Sequence, residues 1–242
     1  MDTSFWIQCN PKITVEHTTK KYFGKYLYKI VVYSPAGRLL DSKGSMDAAL
    51  EHRKNVYKHI NHSGWWGYRQ NRDIDNADLT FLDKLRDLKH NKSLGLKFRI
   101  EEPRVQIYAT TEQELKDLVS TELKPFLKYL ENVAGPVNDE HAEILNSGAI
   151  IRKKNNGYRY KVIIRDGRYS SDVKENLLSY LDSLIPEHAQ LSKSSREMLT
   201  KSTPFVWNLY FYTDDSSVVT FINLIHPGMV SNCHELVVDV NK

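Results

Sequence analysis

A stretch of alternating aromatic, basic and β-branched residues occurs twice in the chain and constrains the fold more than any other feature. Residues 25–33 read KYLYKIVVY and residues 157–165 read GYRYKVIIR, and a turn containing glycine follows each. Such compositions are typical of β-strands. Each stretch leads into a segment with helical periodicity, 45–60 in the first case and 171–184 in the second. The repetition predicts a chain made of two related halves.

The correspondence continues beyond the first strand and helix. Two further alternating segments end in Thr or Asp, residue types that cap helices, and a helix and a short strand are predicted after each. Each half therefore reads β-α-β-β-α-β, which is the ferredoxin-like order. We expect an α+β protein of two pseudo-repeated ferredoxin-like halves, with antiparallel sheets and helices on one face. The segments are 105–111, 112–123 and 126–133 in the first half and 209–215, 217–225 and 235–240 in the second.

The halves differ in length and are joined by a short segment. We predict an N-terminal half over 1–134 that carries an insertion at about 61–91 and a C-terminal half over 141–242. Residues 135–140 are rich in Gly, Pro and acidic residues and are the predicted linker. The hairpin partner of the third strand is assigned to 96–101 in the first half. Its equivalent is not apparent in 189–203, which is polar and rich in turn-forming residues.

The charge balance permits a nucleic-acid partner without requiring one. The 242 residues carry 34 Lys and Arg against 30 Asp and Glu, a formal net charge of +4. Within the insertion, residues 62–72 read HSGWWGYRQNR. Aromatic rings stack on unpaired bases and arginines contact phosphates, so this composition suits single-stranded nucleic acid. A Trp pair in an insertion is also typical of a loop anchored on the core.

Basic and aromatic residues also interleave at 20–29 and 152–161. If these segments are strands, tyrosines and basic residues lie on opposite faces, and the basic face is the one without helices. A solvated face or a contact between the two sheets explains the same pattern. The predicted nucleic-acid-binding residues are Lys20, Lys21, Trp65, Tyr68, Arg69, Arg72, Lys153, Lys154, Arg159 and Lys161.

Signatures of a metal site, a cofactor or a known active site are missing from the sequence. The two cysteines lie near opposite ends, and the nine histidines show no paired ligand spacing. Nucleotide-binding loops and the hydrolase nucleophile elbow are not found. We therefore expect no cofactor, no metal and no catalytic residue, and a reducing, cytoplasmic location. Neither a leader nor a membrane span is predicted.

Tandem ferredoxin-like domains, basic character and this length are similar to the Cas6-type CRISPR endoribonucleases. That resemblance implies metal-independent RNA cleavage by a histidine beside a glycine-rich loop near the C-terminus. Residues 226–233 hold one glycine, Gly228, where that loop needs several, so no catalytic residue is carried over.

The function expected from the sequence is binding of single-stranded RNA or DNA without catalysis, as in a viral or phage accessory or regulatory factor. The alternative is a structural or protein-interaction subunit of a larger, virion-like assembly. In that case Trp65, Trp66 and the sheet faces would contact partner chains, since aromatic residues are enriched at protein interfaces.

Overall fold

The computed structural model describes residues 1–34, 37–41, 51, 75–101 and 103–238. The chain divides into two compact units, Met1–Ala142 and Glu143–Lys242. Each unit combines helices with a five-stranded mixed sheet. The helix predicted over 45–60, apart from Glu51, and the insertion as far as residue 74 lie outside the described residues.

The first unit starts with a helix and an edge strand, and the strand of the first repeat follows. Three short 3-10 helices, Gly37–Asp41, Lys92–Leu94 and Lys124–Tyr129, connect its elements. Pro125 favours a helical turn at the start of the last of these, so the final strand begins at Leu130 rather than at the predicted residue 126. The elements are α1 (Thr3–Cys9), β1 (Thr14–His17), β2 (Tyr28–Tyr33), α2 (Asn76–His90), β3 (Lys97–Glu101), β4 (Arg104–Ala109), α3 (Glu112–Ser120) and β5 (Leu130–Gly135). Helix α4 (Asp139–Asn146) begins in this unit and ends in the next.

The sheet of the first unit has the order β1-β5-β2-β4-β3. Four of its strands pair antiparallel, whereas β1 pairs parallel with β5. The prediction of an antiparallel sheet is therefore wrong at this edge. The predicted scheme left the residues before the first repeated strand unassigned, and in the structure they supply the additional parallel strand. The predicted linker 135–140 contains the last residue of β5 and the first two residues of α4.

The core of the first unit lies between one face of this sheet and its helices. Alternation along β2 and β4 places Ile30, Val32 and Ile107 in the core, where α2 contributes Phe81 and a row of leucines. The Phe81 ring stacks on Tyr129, with ring centroids 4.5 Å apart. The Tyr129 hydroxyl donates a 2.9 Å hydrogen bond to Asp78 Oδ1, so the buried carboxylate of α2 has a partner.

Reciprocal capping boxes fix the starts of α2 and α3. Asp75 accepts a hydrogen bond from the backbone N–H of Asp78 at the start of α2, and the Asp78 carboxylate accepts one from Asp75 N. Thr111 accepts from Glu114 N at the start of α3, and the Glu114 carboxylate accepts from Thr110 N and Thr111 N. Burial alone would raise the pKa of Glu114, but the hydrogen bonds from Thr111 and Thr110 hold this pKa below its usual value.

Replacing Thr111 with alanine is expected to lower the free energy of unfolding by about 1 kcal/mol, because the N-cap acceptor is lost. The ionised Glu114 side chain adds to the free energy of unfolding. This stabilisation is fully present above the pKa of Glu114 in the unfolded chain, and it is lost as the pH falls through the lowered pKa in the folded chain. Urea denaturation at neutral and acidic pH measures both effects. Thr203→Ala, which changes an exposed threonine, is the matched control. If Thr111→Ala and Thr203→Ala lower the free energy of unfolding equally, Thr111 does not stabilise the protein as a cap.

The second unit repeats the order of strands and helices of the first and adds a small two-stranded antiparallel sheet and a helix. Helix α5 matches the predicted 171–184 and begins after the N-cap Ser170. Strand β9 and helix α6 lie in 189–203, where the sequence showed no clear strand. Its elements are β6 (Ile150–Arg152), β7 (Tyr160–Ile164), β8 (Gly167–Arg168), α5 (Ser171–Leu184), β9 (Ala189–Leu191), α6 (Lys193–Thr200), β10 (Phe205–Val206), β11 (Tyr210–Thr213), α7 (Val218–Ile225) and β12 (Val230–Val238).

The main sheet of the second unit has the order β6-β12-β7-β11-β9. Strand β6 pairs parallel with β12, so the prediction of an antiparallel sheet is again wrong at one edge. The other neighbouring pairs are antiparallel. The core contains Val162 and Ile164 of β7, Phe211 of β11 and Leu177 and Leu181 of α5. None of the described helices is long and apolar enough to span a lipid bilayer.

Candidate nucleic-acid interface

The two central strands of the second sheet have side chains on two distinct faces. Val162 and Phe211 are fully buried on the core face, together with Ile164. Because successive side chains of a strand alternate, Lys161, Tyr210 and Tyr212 point to the opposite face. All three are partly exposed. We call this the outer face of the sheet.

Strand register brings these outer-face residues together. Tyr212 lies opposite Lys161, and Lys161 in turn lies opposite His234 of β12. The Nζ atom of Lys161 is 3.9 Å from the centroid of the Tyr210 ring. The Tyr210 and Tyr212 rings are 5.7 Å apart at an angle of 72°. A cation therefore lies against an edge-to-face aromatic pair.

A second cation reaches the same aromatic pair from the edge strand. The guanidinium carbon of Arg152, the last residue of β6, is 4.8 Å from the centroid of the Tyr212 ring. Its Nη1 is buried and has no hydrogen-bond partner in the described part of the chain. Lys161, Tyr210, Tyr212 and Arg152 form what we call the tyrosine-cation cluster. It combines flat rings, on which bases stack, with two positive charges.

The predicted basic residues of the second unit differ in their relation to this cluster. Lys161 belongs to it. Arg159 lies just before β7, where its guanidinium donates two hydrogen bonds, of 3.1 and 3.0 Å, to Glu235 Oε1. This carboxylate raises the pKa of Arg159 and offsets part of its charge. Lys153 and Lys154 are exposed in the loop between β6 and β7.

The sequence predicts a strand over 20–29 in which basic and aromatic residues alternate between two faces. The structure shows this alternation only from Tyr28 onward. Residues 22–26 form a tight turn in which Tyr22 N donates to Tyr26 O at 2.8 Å, and strand β2 starts only at Tyr28. Gly24, with φ +68°, adopts the left-handed conformation that such a turn needs. Lys20 and Lys21 precede this turn and are therefore not part of a strand face.

This turn covers part of the outer face of the first sheet. The rings of Tyr22 and Phe23 pack on Tyr108 of β4, at centroid distances of 5.2 and 5.1 Å, and Tyr108 is 2% exposed. The aromatic residue on the outer face of β4 is thus buried. Tyr210 and Tyr212, on the outer face of β11, are partly exposed.

The remainder of the first sheet's outer face forms a groove of about 840 Å³. Its charges are mixed, since Arg104 Nε donates a 2.6 Å hydrogen bond to Glu131 Oε2 across it. It offers cations, but none of its described lining residues is aromatic. The charged lining residues are Lys12, Glu16, Lys29, Arg104, Lys128 and Glu131.

Sequence reasoning missed three of the four residues of the tyrosine-cation cluster. Tyr210 and Tyr212 flank the buried Phe211, so the i and i+2 spacing of two tyrosines on a predicted strand was an available signal. Arg152 lies in the basic stretch 152–161, directly before the predicted binding residues Lys153 and Lys154. The predicted residues Trp65, Tyr68, Arg69 and Arg72, like Trp66, lie outside the described residues.

Within the described ranges no three His, Cys, Asp or Glu side chains are grouped closely enough to hold a metal ion. Comparison of the chain with protein-family models, with curated proteins and with solved structures gives no match.

Proposed function

We propose that this protein binds single-stranded nucleic acid, RNA or DNA, on the outer face of the second sheet, without catalysing a reaction. The observation that carries the proposal is the tyrosine-cation cluster on the two central strands. Lys161 and Arg152 lie 3.9 and 4.8 Å from its two rings. Bases can stack on these rings while the cations meet phosphates.

Strand order supports a duplicated ferredoxin-like arrangement as the framework of this site. In the second unit the order β12-β7-β11-β9 corresponds to fourth, first, third and second strands, with α5 and α7 as the two crossover helices. The order β5-β2-β4-β3 is the same in the first unit. RNA-binding sheets with this order stack bases on aromatic residues of their central strands. Tyr210 and Tyr212 lie on β11, which is one of those strands.

The cationic part of the proposal is tested by Lys161→Gln. We expect this variant to weaken binding of all single-stranded sequences and to reduce the slope of log affinity against log salt by about one, because one phosphate contact is lost. Fluorescence anisotropy at several salt concentrations measures the slope. Lys193→Gln on α6 removes the same charge from an exposed position and serves as the control. Equal slopes for Lys161→Gln and the unaltered protein would contradict a phosphate contact at Lys161.

A protein-interaction role is the second candidate, and exposed apolar side chains of the second unit favour it. Phe221 and Leu224 of α7 are 53% and 75% exposed. The rings of Phe205 and Trp207 stack at 6.0 Å, and each residue is 45% exposed. Large exposed apolar groups are typical of protein-binding surfaces. This function becomes the preferred one if the protein binds no nucleic acid at low salt.

A further inference from the structure

A small cavity lies beside the tyrosine-cation cluster, under the loop that joins β6 to β7. It has a volume of about 280 Å³, and its charged lining residues are Arg152, Lys154 and Arg159. Among its described lining residues there is no Asp or Glu. Glu235, which pairs with Arg159, is the neighbouring carboxylate and does not line the cavity. The described lining of the cavity is therefore cationic.

Two residues that line this cavity carry a hydrogen-bond donor without an acceptor. Arg152 Nη1 and Asn156 Nδ2 are both buried and have no partner within the described ranges. Burying a donor without an acceptor is unfavourable, and proteins retain such groups where a ligand supplies the acceptor. Both donors are nitrogen-bound hydrogens, and the cations beside them favour an anionic acceptor. Phosphate oxygens meet both requirements.

Hydrogen bonds hold the loop that carries Asn156 in place, both within the loop and to residues outside it. Asn155 Oδ1 accepts a 2.8 Å hydrogen bond from Gly157 N, and Gly157 has a φ of +84°. The Tyr158 hydroxyl is within 3.1 Å of Pro186 O and 3.3 Å of Ala189 O. These contacts form the cavity before any ligand arrives, which reduces the entropy lost on binding.

We infer that this cavity binds one phosphate group of the nucleic-acid chain whose bases stack on Tyr210 and Tyr212, an inference that rests on the proposed function. Arg152 joins the two sites, because its guanidinium lies over the Tyr212 ring and the same residue lines the cavity. The phosphate is either a terminal monoester or an internal diester. Both offer the oxygens that the two unpaired donors require.

Binding of inorganic phosphate to the full chain tests the cavity without nucleic acid. We expect saturable shifts of the Asn156 and Arg152 side-chain NMR signals, and a phosphate affinity about 3- to 10-fold lower in Lys154→Ala, since one charged contact is worth about 1 kcal/mol. Lys153→Ala is the matched control, since it removes the same charge one residue away from the cavity lining. Absence of these shifts, or equal losses in the two variants, would overturn the inference.

Oligonucleotides then identify the source of the phosphate. If the cavity takes a terminal phosphate, phosphorylating one end of the strand raises its affinity for the unaltered protein but not for Lys154→Ala. If the cavity takes an internal diester, Lys154→Ala lowers the affinity for phosphorylated and unphosphorylated strands equally. Lys153→Ala then lowers both affinities less. Phosphate binding without nucleic-acid binding refutes the proposed function and leaves the cavity site standing. Nucleic-acid binding with no response to inorganic phosphate or Lys154→Ala refutes the cavity site alone.

Discussion

Replacing Tyr210 and Tyr212 together with alanine is expected to abolish most of the affinity for single-stranded nucleic acid. Base stacking on one aromatic side chain contributes about 1–3 kcal/mol, which corresponds to about a 5- to 150-fold loss for each ring removed. Both rings lie on the outer face of β11, and their loss also removes the surfaces on which Lys161 and Arg152 rest. Anisotropy titrations of the variant and the unaltered protein at one salt concentration measure the change.

Two controls separate stacking from general disturbance of the fold. Tyr212→Phe keeps the ring and is expected to retain binding within about threefold, since the hydroxyl is not needed for stacking. Tyr180→Ala removes a tyrosine of α5 that contacts Phe221, away from the outer face. If Tyr180→Ala loses as much affinity for single-stranded nucleic acid as the double variant does, a base-binding role for Tyr210 and Tyr212 is refuted.

Phe211→Ala is expected to lower the free energy of unfolding by about 3–5 kcal/mol, the largest stability effect predicted for this chain. Phe211 is fully buried and pairs with Val162 and Leu191 on the neighbouring strands. Alanine at this position leaves a cavity among side chains of the sheet, α5 and α7. Urea denaturation followed by far-UV circular dichroism measures the loss.

The neighbouring residue on the same strand provides the comparison for Phe211. Tyr212→Ala changes a partly exposed outer-face side chain and is expected to cost about 1 kcal/mol of stability, well below the cost of Phe211→Ala. Alternate residues of β11 thus divide into core positions and outer-face positions, and the latter are the ones proposed to bind bases. A Tyr212→Ala variant as unstable as Phe211→Ala would mean that the outer face is also part of a packed core.

Most of the regular elements were predictable because their signals are local. Strand β7 and helix α5 follow from β-branched residues and a leucine period of helical spacing, and both are found within the predicted segments. Strand β9 was missed because three residues, of which only Ala189 is buried, carry too little alternation to be recognised. The parallel edge strands β1 and β6 were missed because their pairing depends on distant partners.

The candidate site was less predictable, because its residues meet through strand register. Lys161 follows from alternation within one strand, whereas its contact with Tyr210 depends on the pairing of β7 with β11 across 49 positions of sequence. Arg152 reaches Tyr212 from a third strand. At 22–26 the sequence pattern predicts too much strand. The alternating basic and aromatic residues there belong to a turn that packs on Tyr108.

The most direct test of nucleic-acid binding is fluorescence anisotropy of the full chain with labelled single-stranded RNA, single-stranded DNA and duplex DNA at several salt concentrations. The proposed function predicts micromolar or tighter binding of a single strand, weaker binding of the duplex, and a salt slope that corresponds to several phosphate contacts. Failure of all three nucleic acids to bind at low salt would contradict it. Equal affinity for duplex and single strands would contradict base stacking on Tyr210 and Tyr212.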